Sequence, residues 1–153
     1  KGFLLHPLSK ADVNETFQIR SALESYCTLQ ICKETNSRKA GKLFKELNKI
    51  MEKMEKIMIS SHSIDDFCEY DFRFHTQIIN YLENEQFSSI FATFMYRMKR
   101  LAKFSLSHEG RMENTYKEHM DILNAMQSGD VEHIYDITIQ HMERPKGINL
   151  EDL

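Results

Sequence analysis

Four residues in this sequence, Asp71, His75, His119 and His141, are types that bind metal ions, and all four fall where the pattern calls for apolar residues. Asp71 and His75 are four positions apart, so on a helix they stack one turn above the other. Phe67, Phe74, Ile78 and Leu82 mark the inward face of the same segment. His119 sits in the middle of the stripe Met112, Tyr116, Leu123 and Met126, and His141 continues the stripe Ile134, Ile137 and Thr138. A carboxylate on an apolar face is costly unless it is paired or ligated. Neutral imidazoles supply nitrogen donors, and a divalent ion would offset the buried negative charge. Three His and one Asp converging from three helices therefore predict a divalent metal site. Plainer readings use the same residues: Asp71 and His75 bond to each other, or each His is a core histidine with a local partner. Cys68, one turn before Asp71, could add a soft ligand, but three His and a carboxylate suffice without it. His6, His62 and His108 fall in breaks, and His133 lies off its stripe.

The elements that must position these residues read as helices. After a short apolar lead-in over residues 1–8, Ser9 or Asp12 offers an N-cap and Glu15 follows Asp12 by three residues, so a first helix runs to about Thr35. Asn36-Ser37 breaks the pattern and caps a second helix over about 38–59, with Leu43, Leu47, Ile50 and Met54 inward and a Lys/Glu-rich outer face. Asp65 or Asp66 opens a third, to about Leu82. A fourth covers about 86–106 and a fifth about 112–127. Ser128-Gly129-Asp130 acts as a helix stop followed by an N-cap, and a sixth helix runs from Val131 to about Arg144, where Pro145 stops it. The tail from 145 to 153 is expected to be loose. The expected fold is all-α: an antiparallel bundle of about six helices with a metal site in its core.

The composition agrees. The chain has 153 residues, 41% hydrophobic and 28% charged, with only 5 Gly and 2 Pro, which suits one globular domain of long helices rather than a turn-rich sandwich. A net charge of -3 argues against nucleic-acid binding by this stretch alone. There is no run of about 18 apolar residues and no signal-peptide pattern, so no membrane association is expected. The 3 Cys, without CxxC spacing, fit a reducing cytoplasm.

Several stretches together resemble the FCD effector-binding domain, the C-terminal domain of FadR-like regulators in the GntR family. Asp71-Phe72-Arg73-Phe74-His75 looks like its D-x-x-F-H signature. Phe17-Gln18-Ile19-Arg20-Ser21-Ala22-Leu23-Glu24 resembles the first-helix pattern aromatic-x-x-R-x-x-L-E, and Asn84 stands where the family has an Asn after the third helix. Glu118-His119 with Ile122, Ala125, Gly129 and Asp130 resembles the E-H-x-x-I-x-x-A-x-x-x-G-D run, and His141 the closing His. Lys1-Gly2-Phe3-Leu4-Leu5 resembles the last wing strand of the preceding winged-helix domain. The likeness covers about residues 1–144, and a count of six helices points to the VanR-like subgroup. It divides the chain into a wing-strand and linker remnant (1–8), an effector-binding domain (9–144) and a tail (145–153).

The resemblance implies that Asp71, His75, His119 and His141 ligate a divalent ion, often zinc, sometimes nickel or manganese. It implies a small organic-acid effector and a homodimer. Operator DNA would be read by a winged helix that lies outside these 153 residues. Arginine suits bidentate carboxylate recognition, so Arg20, which matches the first-helix Arg, is the first choice of effector anchor and Arg97 the second. The basic group Arg97, Lys99, Arg100 and Lys103 reads equally as a solvated face. The rival class is a helical-bundle metalloenzyme, a metal-dependent hydrolase, which needs a general base beside an open coordination position. No further inward carboxylate or His is expected near the four ligands, since Glu118 points elsewhere on the wheel.

Overall fold

The computed structural model describes residues 8–151. Seven helices follow one another: α1 (Lys10–Lys33), α2 (Arg38–Ile59), α3 (Ile64–Asn80), α4 (Glu85–Thr93), α5 (Met95–Leu106), α6 (Arg111–Ser128) and α7 (Ile134–Glu151). No strand occurs among the described residues. The wing-strand remnant expected over residues 1–8 lies, but for Leu8, outside them, as does His6.

Most helix ends follow local chemistry. Ser9 and Asp12 form a reciprocal capping box. Ser37 accepts from the Ala40 N–H, and Asn84 from the N–H groups of Gln86 and Phe87. Gly129, at φ 68°, closes α6 in the left-handed conformation, and the Asp130 N–H reaches back to the Ala125 carbonyl at 2.9 Å. Its α-carbon has little space around it, because a Cβ there would come within 3.1 Å of Thr35 Cγ2.

Four expectations are corrected. The helix expected over 86–106 is two, α4 and α5, joined at Phe94 (φ −96°, ψ 2°). No Gly or Pro marks that joint. The Phe94 N–H still bonds Ile90 and Phe91, and its ring packs on the core, so the sequence carries no breaker to read. With seven helices, the count that pointed to the VanR-like subgroup no longer does so. The sixth expected helix begins at Ile134 rather than Val131, after a turn held by Asp130 Oδ1 on the His133 N–H. It then runs through Pro145 to Glu151, so most of the expected loose tail is helical. An interior proline costs about 3 kcal/mol, yet packing opposes the break. Met142 joins Val13, Phe17 and Leu101 in a buried cluster with Leu150 against it, and Asn149 Nδ2 bonds the carbonyls of Leu101 and Pro145.

The helices wrap one core. α1 lies mainly along α7 and also meets α6, α3 and α5, while α2 packs on α3 and α6. Phe67, Phe74, Ile78, Ile122, Leu123 and Met126 are fully buried at its centre. Cys27, Cys32 and Cys68 are free thiols buried in the same core. No helix among the described residues is long and apolar enough to cross a membrane.

Candidate metal centre

The apolar faces of α3, α6 and α7 carry four polar side chains to one point. Asp71, His75, His119 and His141 are all buried, His119 completely. One donor atom from each lies within 4.8 Å of the others. His75 Nε2 is 3.1 Å from His119 Nε2 and 3.3 Å from His141 Nε2. Asp71 Oδ1 is 2.9 Å from His119 Nε2 and 3.3 Å from His75 Nε2.

These atoms suit a metal ion better than they suit each other. Asp71 Oδ1 is buried without a hydrogen bond of regular geometry, although two imidazole nitrogens lie in reach. Zinc–nitrogen bonds of about 2.0–2.1 Å place tetrahedral ligands about 3.3 Å apart, close to the four separations just given. Three nitrogens and one carboxylate oxygen suit zinc and other first-row divalent ions.

The outward ring nitrogens fix the tautomers. His141 Nδ1 donates to Glu118 Oε1 at 2.7 Å, and His75 Nδ1 makes a very short contact to Glu24 Oε1. A proton on Nδ1 leaves the Nε2 lone pair facing the centre, the usual arrangement of ligating histidines. His119 is held by stacking: its ring lies 4.3 Å from that of Phe74, within 4° of parallel. Its Nδ1 is buried with no partner among the described residues.

Each glutamate is anchored in turn by an arginine. Arg20 Nε donates to Glu24 Oε2 at 2.9 Å. Arg111 holds Glu118 with both terminal nitrogens, at 2.8 and 2.7 Å, and Arg144 approaches the same carboxylate at 3.4 Å. Burial pushes the Glu24 carboxyl up, but Arg20 and His75 outweigh it and hold it at about 2. Glu118 is likewise pushed up by burial and brought down to about 2 by His141 and Arg111. Burial drives His119 down to about 3 and also lowers His141, which keeps both imidazoles neutral and able to ligate. In Asp71, burial is outweighed by the two histidines on it, and the carboxyl stays well below its usual range.

A narrow cavity of about 20 Å³, room for about one water, borders the centre. Arg20, Asp71, Ser105, Arg111, Thr115 and His141 contribute to its wall. A larger groove of about 610 Å³ between α6 and α7 reaches Glu118 and His141 from the other side but is otherwise lined by such residues as Lys117, Asp121, Asn124 and Gln140.

All four residues expected at the centre are therefore together, and Arg20 stands beside them. Arg97 is elsewhere: its guanidinium lies over the Phe94 ring and 3.6 Å from Asp12 Oδ1, and it does not line the cavity. Cys68 is not part of the cluster. Among the remaining histidines, His62 pairs with Glu113 and His133 with Asp130, both on the surface.

The expectation of no further inward carboxylate near the ligands is overturned by Glu24 and Glu118. A helical wheel splits a helix into an inner and an outer half, but α1 is enclosed by four other helices, so Glu24 is buried beside its apolar stripe. Glu118 is turned away from His119 yet faces α7. Both stand in the stretches Leu23-Glu24 and Glu118-His119, where they could have been recognised. Arg111, the first residue of α6, had no signal of its own.

The sequence matches the FCD domain family over residues 15–144. No curated protein matches it. Among solved structures, it is similar to the metal-free FCD domain of TM0439, a candidate transcriptional regulator. That likeness has 18% identity and a TM-score of 0.77 over 96% of this chain and 97% of the other. The Zn2+-bound form of the same domain matches at 17% identity and TM-score 0.72, with the same coverage.

Proposed function

The chain belongs to the FCD domain family, and from that premise we propose that it is the ligand-sensing domain of a GntR-type transcriptional regulator, controlled by a divalent metal and a small carboxylate effector. One observation carries this reading: two of the four converging donors, Asp71 and His141, and two buried guanidinium groups, Arg20 and Arg111, border the same narrow cavity. The Zn2+-bound TM0439 domain supports zinc as the first choice of metal, with nickel and manganese also suited to the donors.

Asp71, His75, His119 and His141 would hold a divalent ion, which would supply positive charge beside the cavity. The chain's own residues do the rest. Glu24 and Glu118 orient the two outer imidazoles. Arg20 and Arg111 are each paired with an ionised glutamate, so they add N–H donors at the cavity wall, while the net attraction for an anionic head would come from the metal's charge. Thr115 and Ser105 offer hydroxyls to a bound oxygen. The domain acts in a homodimer in the cytoplasm, and operator DNA is bound by a winged helix outside this chain. The effector changes operator affinity only through unequal affinity for two arrangements of the protein.

Sensing is favoured over hydrolysis. A hydrolase needs a carboxylate free to accept a proton from water. Glu24 and Glu118 are each held by a ring N–H and an arginine, with carboxyls near 2, and are weak bases. Calorimetric titration of small organic acids into the zinc-loaded chain tests the proposal. At least one acid should bind, and removing the metal should abolish its binding. If none binds, or binding survives without metal, the effector reading falls.

A further inference from the structure

We propose that Arg111 reads the anion directly, its Nε–H donating to one carboxylate oxygen in the cavity beside Asp71 and His141. This rests on the effector reading above.

Arg111 is 5% exposed, and both its terminal nitrogens are spent on Glu118. Its Nε is buried and has no partner among the described residues. Buried N–H groups are nearly always bonded, and an unmet one costs about 1–3 kcal/mol. Arg111 lines the cavity together with Asp71 and His141. The cavity has room for about one water, which is also about the size of a carboxylate oxygen. An oxygen placed there meets the Nε–H that the fold leaves unmet.

The two arginines of the cavity are used differently. Arg20 gives its Nε to Glu24, whereas Arg111 gives Glu118 the two-pronged end and keeps Nε. Glu118 thus fixes the Arg111 plane before any ligand arrives, so the donor is already oriented and little ordering remains on binding. Lysine would keep the charge and could still pair with Glu118, but it has no nitrogen at the Nε position. Arg111→Lys therefore separates the donor from the charge.

The test uses cobalt(II) as the reporting metal and acetate as the probe. The cobalt-loaded chain is titrated with acetate and followed by its visible absorption, for wild type and Arg111→Lys. The expected result is acetate affinity about tenfold weaker in the cobalt-saturated variant, one charge-assisted hydrogen bond's worth. Equal acetate affinity in both proteins overturns the role of Arg111 and leaves the effector reading standing. Cobalt lost from the variant overturns it too, because Arg111 would then act through Glu118 on His141. Acetate binding to neither protein overturns both. A second measurement needs no variant: in zinc-loaded wild type, the Arg111 Nε–H nuclear magnetic resonance signal should shift on saturation with acetate, and an unmoved signal refutes the proposal.

Discussion

His75 and His141, 66 residues apart in the chain, stack with their rings within 8° of parallel and their Nε2 atoms 3.3 Å apart. Their outer nitrogens meet two glutamates, and each glutamate meets an arginine. Arg20, Glu24 and His75 form one such series, on α1 and α3. Arg111, Glu118 and His141 form the other, on α6 and α7. The centre is thus approached twice by the same chemistry from different pairs of helices, with His119 between them against Phe74.

Both glutamates should therefore tune the metal in the same direction. Glu24→Gln and Glu118→Gln are each expected to lower zinc affinity by about 10–100-fold, the usual effect of losing a carboxylate behind a ligating histidine. Competition with a coloured chelator measures this. Unchanged affinity in either variant would mean that its histidine is oriented by packing alone.

Arg20→Ala should affect two quantities. Carboxylate binding is expected to weaken by about 1.5–3 kcal/mol, the worth of a charge-assisted hydrogen bond. Its partner Glu24 is 1% exposed, so the variant also strands a buried carboxylate, at a cost of about 3–5 kcal/mol in stability. Urea unfolding and calorimetry report the two separately. Full stability in the variant would show that Glu24 does not depend on Arg20.

Acid should act in two stages. Protons displace the metal first, because ligating imidazoles must be neutral. In the metal-free chain, stability is lost first through His119 and His141, held neutral by burial, as pH falls below 6.5, and Asp71 adds to the later loss made by Glu24 and Glu118. The folded values of the two glutamates, near 2, lie below the ordinary 4.5, so their contribution is complete above about pH 4.5 and is lost as pH falls towards 2. Urea melts of the metal-free chain across this window should show falling stability, with a shallower fall in Glu118→Gln. Stability that stays level down to about pH 2.5 would contradict the assignment.

The metal residues were legible because each is polar at a position where a 3.6-residue apolar period demands otherwise. Helix ends at Ser37 and Gly129 were legible because capping is local chemistry. The joint at Phe94 was not, since an apolar residue without Gly or Pro looks like more helix. Pro145 misled for the opposite reason: its local rule is sound, but packing around Met142 and Asn149 overrides it. Arg97 and Arg111 show a further limit. The one offers charge on a half-exposed face, whereas the other is buried beside the centre, paired with Glu118 seven residues on and so on the same face of α6, a polar pairing that a search for apolar stripes does not single out.

Every role assigned above depends on a metal ion among Asp71, His75, His119 and His141. Elemental analysis of the zinc-supplemented, desalted chain tests it most directly, with His119→Ala as the comparison. About one zinc per wild-type chain is expected, and far less in the variant. Loaded wild type should also melt at a higher temperature, since a ligand at 100 times its Kd stabilises the folded state by about 2.7 kcal/mol. Wild-type protein that retains no divalent metal, or His119→Ala that retains as much as wild type, would contradict the metal assignment.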